Sequence, residues 1–188
     1  MSAALYEIRL ALAGAMQLAR GDAGGLVWFD TSLDGFWRSF RAALVCYPMF
    51  LLLLILRLTA GQVAASSVER IFAVETIGYV IGWVAYPLVI LPLSRALDRE
   101  ERFLVFLVAY NWSQVPQTTL FVLVAVAGAV LPQSVAEAAA VAATIAVVVY
   151  EWFIARVGLD VPGPAAALVV LVDLLLGTVV ARIAEGLY

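Results

Sequence analysis

The sequence predicts an all-α protein, a polytopic transmembrane bundle of about five helices preceded by an amphipathic interfacial helix. Three observations predict it. Of 188 residues, 65% are hydrophobic and 13% charged, whereas soluble domains hold about 45–50% and about 25%. The apolar residues fall in long blocks separated by short polar joints. Those joints carry the caps, prolines and arginines that begin and end helices. Residues 1–25 form the interfacial helix and its hinge, and residues 26–188 the transmembrane domain.

At about 100° per residue, Leu5, Ile8, Leu12, Ala15, Met16 and Ala19 share one side of the first helix, with Glu7, Arg9, Gln17 and Arg20 opposite. A short helix of this kind lies flat among lipid headgroups and acts as an anchor. A cleaved signal peptide is the competing reading, but its apolar stretch, residues 10–16, is short and Arg20 comes soon after it. Residues 21–25 break the helix. Trp28, Phe29, Trp37 and Phe40 then suit the membrane boundary, and Asp30, Thr31 or Ser32 can cap the next helix.

The first span covers residues 36–58, entering near Trp37 and leaving at Arg57. A capping box of Ser66 and Glu69 opens the second, residues 68–93. Its Gly78 and Gly82 have the spacing that admits a close neighbouring helix, and Pro87 and Pro92 bend or end its later half. Asp98 and Arg102 can pair in the charged loop after it. The third span, residues 103–131, is longer than a bilayer needs, so it tilts, bends or protrudes. Splitting it into two short spans gives six in all, but each half is then short. Ser134 and Glu137 make a second capping box, opening the fourth span, residues 134–156. The fifth, residues 165–184, starts after the loop signal of Asp160, Pro162, Gly163 and Pro164.

All eleven basic residues are Arg. On alternate sides of five spans they divide into Arg9, Arg20, Arg38, Arg41, Arg95, Arg99, Arg102 and Arg156 against Arg57, Arg70 and Arg182. Positive charge stays inside, which predicts a multi-pass protein of a bacterial inner membrane with a cytoplasmic N-terminus and an outward C-terminus. A net charge of −3, and no basic cluster interleaved with aromatics, argue against nucleic acid as a partner. One cysteine, Cys46, and no histidine leave no disulfide framework, zinc site or histidine catalysis within the chain. Cys46 reads as a small buried hydrophobe.

The chemistry is confined to a few intramembrane polar residues. Asp173 sits mid-way along the fifth span among valines and leucines. A carboxylate there costs about 2.5–3.5 kcal/mol to insert, so it faces protein or a wet cavity. Gly177, one turn on, marks the same face as a packing face. On the third span Asn111, Gln114 and Thr118 share a face, with Tyr110 and Gln117 at its edge, and Pro116 breaks the helix by freeing the Trp112 carbonyl. Asn111 and Asp173 lie about eight residues inside their spans, at similar depth. The neutral acid, donating to Asn111 or Gln114, is the expected state of Asp173. Glu137, Thr144 and Glu151 form a stripe on the fourth span. Glu151 is close enough to its end to snorkel or to pair with Arg156, and Glu75 on the second span reads the same way.

There is no Ser/His/Asp set, HExxH, P-loop or GxGxxG, which argues against an enzyme and against a metal or cofactor. Three functions stay open. The chain binds or organises other membrane components, it is a small transporter or channel subunit built around Asp173, or it is an accessory subunit of a membrane complex. Its expected partners are the lipid bilayer and other membrane proteins or a second copy.

A cytoplasmic N-terminal part, closely spaced spans and a short outward C-terminus accompany Gly78-Tyr79, Tyr86-Pro87 and Ala109-Tyr110 with Pro116 beyond. Over residues 36–184 this resembles the YIP family of small five-span membrane proteins. Where eukaryotic members carry a long disordered N-terminal region, this sequence has the short amphipathic helix. The resemblance implies an organising or partner-binding protein rather than a catalyst.

Overall fold

Apolar blocks that long bury their backbone polar groups only as helices, since lipid offers no hydrogen bonds. The computed structural model describes residues 3–61 and 67–187, with side chains from Leu5 onward, and among them there is no strand. Seven α-helices succeed one another: α1 Ala3–Ala19, α2 Leu33–Ser39, α3 Arg41–Thr59, α4 Val68–Ala96, α5 Phe103–Gly128, α6 Gln133–Gly158 and α7 Gly163–Glu185. Four stretches are long and apolar enough to cross a membrane: Leu33–Thr59, Val68–Ala96, Gln133–Gly158 and Gly163–Glu185. They are consistent with a multi-pass membrane protein. Helix α5 is as long as α6 but interrupts its apolar run with Asn111, Ser113, Gln114 and Gln117.

Ser32 caps α2, accepting from the Gly35 amide at 3.0 Å. A break at Phe40 separates α2 from α3, so the first expected span is two helices in line. Ser66 lies outside the described residues. The serine that caps α4 is Ser67, which accepts from Arg70 N at 3.4 Å. Ser134 is not a cap either. Helix α6 starts one residue before it, and Glu137 instead accepts from the Gln133 side chain at 2.8 Å. The expected Asp98–Arg102 pair is replaced by Arg95 and Glu100 at 2.7 Å. Arg102 turns across to the last carbonyls of α6, donating to Gly158 at 3.1 Å and Val157 at 3.2 Å. Unsatisfied carbonyls at a helix C-terminus are favourable partners for a guanidinium.

The prolines end nothing. Pro87 and Pro92 lie inside α4 and Pro116 inside α5, which is one continuous helix rather than two short ones. Packing and nearby hydroxyls stabilise a proline-containing helix in a bundle. Around Pro116, Ser113 donates to the Tyr110 carbonyl at 2.7 Å and Thr119 to the Val115 carbonyl at 2.8 Å.

Helix α5 is the axis of the bundle. Its first half buries Phe106, Leu107, Val108, Ala109 and Trp112 against α3, α6, α2 and α1, while α7 joins α6 to α4 on the other side. Helix α1 docks on protein rather than lying as a free anchor. The face it buries is Ala11, Gly14, Ala15 and Leu18, and the expected apolar residues Leu5 and Met16 are exposed. Small residues win that face because the 3-10 turn Ala23–Trp28 folds back on it so closely that a Cβ on Gly25 would stand 2.5 Å from the Gly14 carbonyl oxygen. Tyr150 of α6 donates to the Ala15 carbonyl at 2.6 Å. Glu7 joins Arg38 at 2.7 Å and Arg41 at 3.1 Å, so the polar side of α1 is fastened as well. This end of the bundle is therefore capped. At the other end, where α4 begins and α7 finishes, the helices splay.

Candidate functional site

Four helices bring one polar residue or more to the same depth. Tyr86 of α4 and Tyr110 of α5 are stacked with centroids 4.1 Å apart, and the Tyr110 hydroxyl donates to Asp173 Oδ1 of α7 at 2.8 Å. Glu151 of α6 lies within hydrogen-bonding reach of both Asp173 and the Gln114 side chain. Asp173 and Glu151 thus form a carboxyl pair inside the bundle. Two carboxyls in contact hold together by sharing one proton.

The structure brings Asp173, Tyr110, Asn111 and Gln114 together, at the common depth that their positions in the sequence imply. It corrects their partners. Asp173 accepts from Tyr110 and does not donate to Asn111, whose amide is turned away and donates to Ser39 Oγ of α2 at 2.8 Å. Gln114 faces Glu151, but its buried Nε2 closes no hydrogen bond of standard geometry. Thr118 is a turn further along, beside Cys46, which is buried as expected. Gln117 donates to Ser113 within α5 at 3.2 Å.

Glu151 is the residue the sequence misplaces. It neither snorkels nor meets Arg156, which rests over the Trp152 ring at 5.4 Å, and it is 7% exposed. The reason is the length of α6, which continues to Gly158 and so carries Glu151 two turns inside the bundle. Its position on the buried stripe of Ala143, Val147, Ile154, Ala155 and Gly158 is the signal that finds it. Glu75 does pair as a residue near a helix end should, with Arg57 at 3.8 Å.

A cavity of about 320 Å³ reaches Asp173. It runs between α4 and α7 from Glu75 and Ala184 inward to Tyr86, Tyr110 and Asp173, with Phe50, Tyr79, Trp83, Leu176 and Val180 along the way. One turn further along their helices, Ile90, Phe106, Val169 and Val170 are all buried. The glycines expected to pack helices together instead make this space. A Cβ on Gly82 or Gly177 would meet nothing within 4 Å, and only Gly78 touches α7, at Val180 and Ala184. With bulky Tyr79, Tyr86 and Trp83 between them, α4 and its neighbours are held apart, so the small residues are left facing a void. Among the described residues no three acidic, cysteine or histidine side chains cluster as a metal site would require.

No protein-family model, curated protein or solved structure matches this chain.

Proposed function

We propose that this chain is a small multi-pass membrane transporter, or a subunit of one, that handles protons at the Asp173–Glu151 pair. The observation carrying this reading is Asp173, which lines a cavity between α4 and α7 and stands beside the buried Glu151. Intramembrane carboxyls facing a cavity commonly mark ion and proton pathways. A purely structural acid would be better sealed in the capped half. Helix α5 is the fifth span in this reading, since its 26 residues lie antiparallel to the equally long α6. The positive-inside rule then puts the capped end and its eight arginines in the cytoplasm and turns the cavity outward, across a bacterial inner membrane.

Proteoliposomes holding a pH-sensitive dye test the activity. An imposed proton gradient should collapse faster with the parent chain than with Asp173→Asn or Glu151→Gln, and equal rates for all three would sink the proposal. Orientation is tested separately by cysteine labelling in a Cys46→Ala background. An impermeant thiol reagent applied outside cells should modify Ser67→Cys and spare Ala96→Cys; the opposite pattern reverses the topology.

A second reading, that the chain organises other membrane helices, is favoured by a different feature and agrees with the YIP-like layout. Between α3, α5 and α6 the splayed end leaves an opening of about 1070 Å³, flanked by Ala136, Ala140, Gly128 and Ala125. Small residues of this kind admit another helix. Crosslinking from Ala140→Cys to a second protein in native membranes would support it, and labelling of that position by lipid alone would count against it.

A further inference from the structure

We infer that the cavity between α4 and α7 takes a monovalent organic cation, an amine or quaternary ammonium on an apolar body. This inference rests on the transporter reading above and names its substrate class. The aromatic content of the walls is the first ground. Phe50, Tyr79, Trp83, Tyr86 and Tyr110 all face the space, and ring faces attract a cation, most strongly one that is weakly hydrated. Charge is the second. Glu75 and Asp173 line the cavity and no arginine does, so an anion finds no partner there. Arg57 offsets Glu75. One proton shared between Asp173 and Glu151 leaves that pair with one negative charge, and one monovalent cation cancels it.

Size and ligand type exclude the alternatives. About 320 Å³ is at the lower end of small-molecule sites, about 300–1,000 Å³, and far exceeds a bare metal ion, which also wants oxygen ligands rather than rings. A lipid acyl chain fits the volume but sets hydrocarbon against a carboxylate and offers it no hydrogen bond or counter-charge. The open positions over Gly82 and Gly177 keep the cavity accessible.

The test uses the full chain in lipid nanodiscs with benzyltrimethylammonium as the probe and neopentylbenzene, its uncharged isostere, as the control, read by titration calorimetry and by the tryptophan fluorescence change that is lost in Trp83→Phe. The cation should bind saturably, one per chain, and about tenfold or more tighter than the isostere, the ratio that one cation–π contact of about 1.4 kcal/mol supplies. Gly82→Leu, and separately Gly177→Leu, should lower its affinity about tenfold by filling the cavity without lowering thermal stability. Absence of saturable binding overturns the inference, as does equal affinity for the isostere or an unaltered affinity in stably folded Gly82→Leu. Should both variants fold poorly, the comparison of cation and isostere on the parent chain decides alone. Binding that fails while Asp173-dependent proton flux persists removes the cation and keeps the proton site. Binding without flux does the reverse.

Discussion

The two ends of the bundle use glycine in opposite ways. At the capped end Gly14 and Gly25 let backbones touch, and a Cβ on Gly158 would stand 3.1 Å from Phe106 Cα. At the splayed end Gly82 and Gly177 touch nothing. The same residue serves contact in one half and emptiness in the other, and what decides is the bulk of its neighbours. Alanines surround Gly14 on α1, whereas Tyr79, Trp83 and Tyr86 stand beside Gly82 and prop α4 away from the rest.

Breaking the tight end should have the largest effect. Gly25→Val forces a branched side chain against the Gly14 carbonyl, and unfolding of the purified protein in detergent should show a loss of about 3 kcal/mol. A Tm equal to the parent's would mean that the turn is not seated on α1. Next comes the polar junction between the halves. Asp173→Leu strands the Tyr110 hydroxyl and the Glu151 carboxyl, at about 2 kcal/mol, while Asp173→Asn keeps an acceptor for Tyr110 and should lose much less. If the two variants melt together, the carboxyl contributes nothing to packing. At the open end the sign reverses. Gly82→Ala meets no atom and improves helix propensity, so stability should rise by up to about 1 kcal/mol; any loss would show that α4 moves against its neighbours.

How far the sequence reveals this contrast depends on the residue. Hydrophobic block length gives the order of the long helices but not the break at Phe40 that divides the first of them, and the shared depth of Asn111 and Asp173 comes from counting turns. The rotation of a helix cannot be counted in that way. Arg156 lies nearer in sequence to Glu151 than any residue of α7 does, yet Glu151 meets Asp173, because α6 runs two residues past its expected end and faces inward there. Likewise the docking of α1 depends on Ala11 and Gly14, which look neutral on a helical wheel and matter only once the 3-10 turn is known to lie on them. Gly82 shows the same limit, since GxxxG spacing encodes a smooth face but not whether a partner occupies it.

Smaller effects sharpen the description of the cap. Glu7→Gln removes both ion pairs to Arg38 and Arg41, whose side chains are 35% and 39% exposed. The expected loss is about 0.5 kcal/mol, fading at high salt, and a salt-independent loss would indicate a packing role instead. The smallest effect is on acidification. Hydrogen bonds from Gln17 and the Gly24 amide hold the Asp22 carboxyl below its usual 3.8, those around Ser32 do the same for Asp30, and Arg95 holds Glu100 below 4.5. Carboxyls depressed on folding stabilise above their ordinary values, and that contribution is lost as pH falls through the folded ones. Trp28, whose indole donates to Gln17 at 2.8 Å, should therefore change its fluorescence only below about pH 4, within the ordinary carboxyl range. A transition near neutrality would point to a different group.

Helix α5 carries a consequence for how the protein is made. Four other stretches are long and apolar enough to cross a membrane, whereas α5 interrupts its apolar run with four polar side chains in the middle. Asn111 is satisfied by Ser39 and Tyr110 by Asp173, and Gln114 lies beside Glu151; two of these three neighbours reside on helices synthesised later. With α5 as the proposed fifth span, the expectation is that during biosynthesis the central helix waits, in a hairpin with α6, until the residues that accept it have emerged. A chain stopped at residue 131 should leave α5 outside the bilayer and accessible to an aqueous thiol reagent at Ser113→Cys in the Cys46→Ala background, whereas a chain stopped after Tyr188 should protect it.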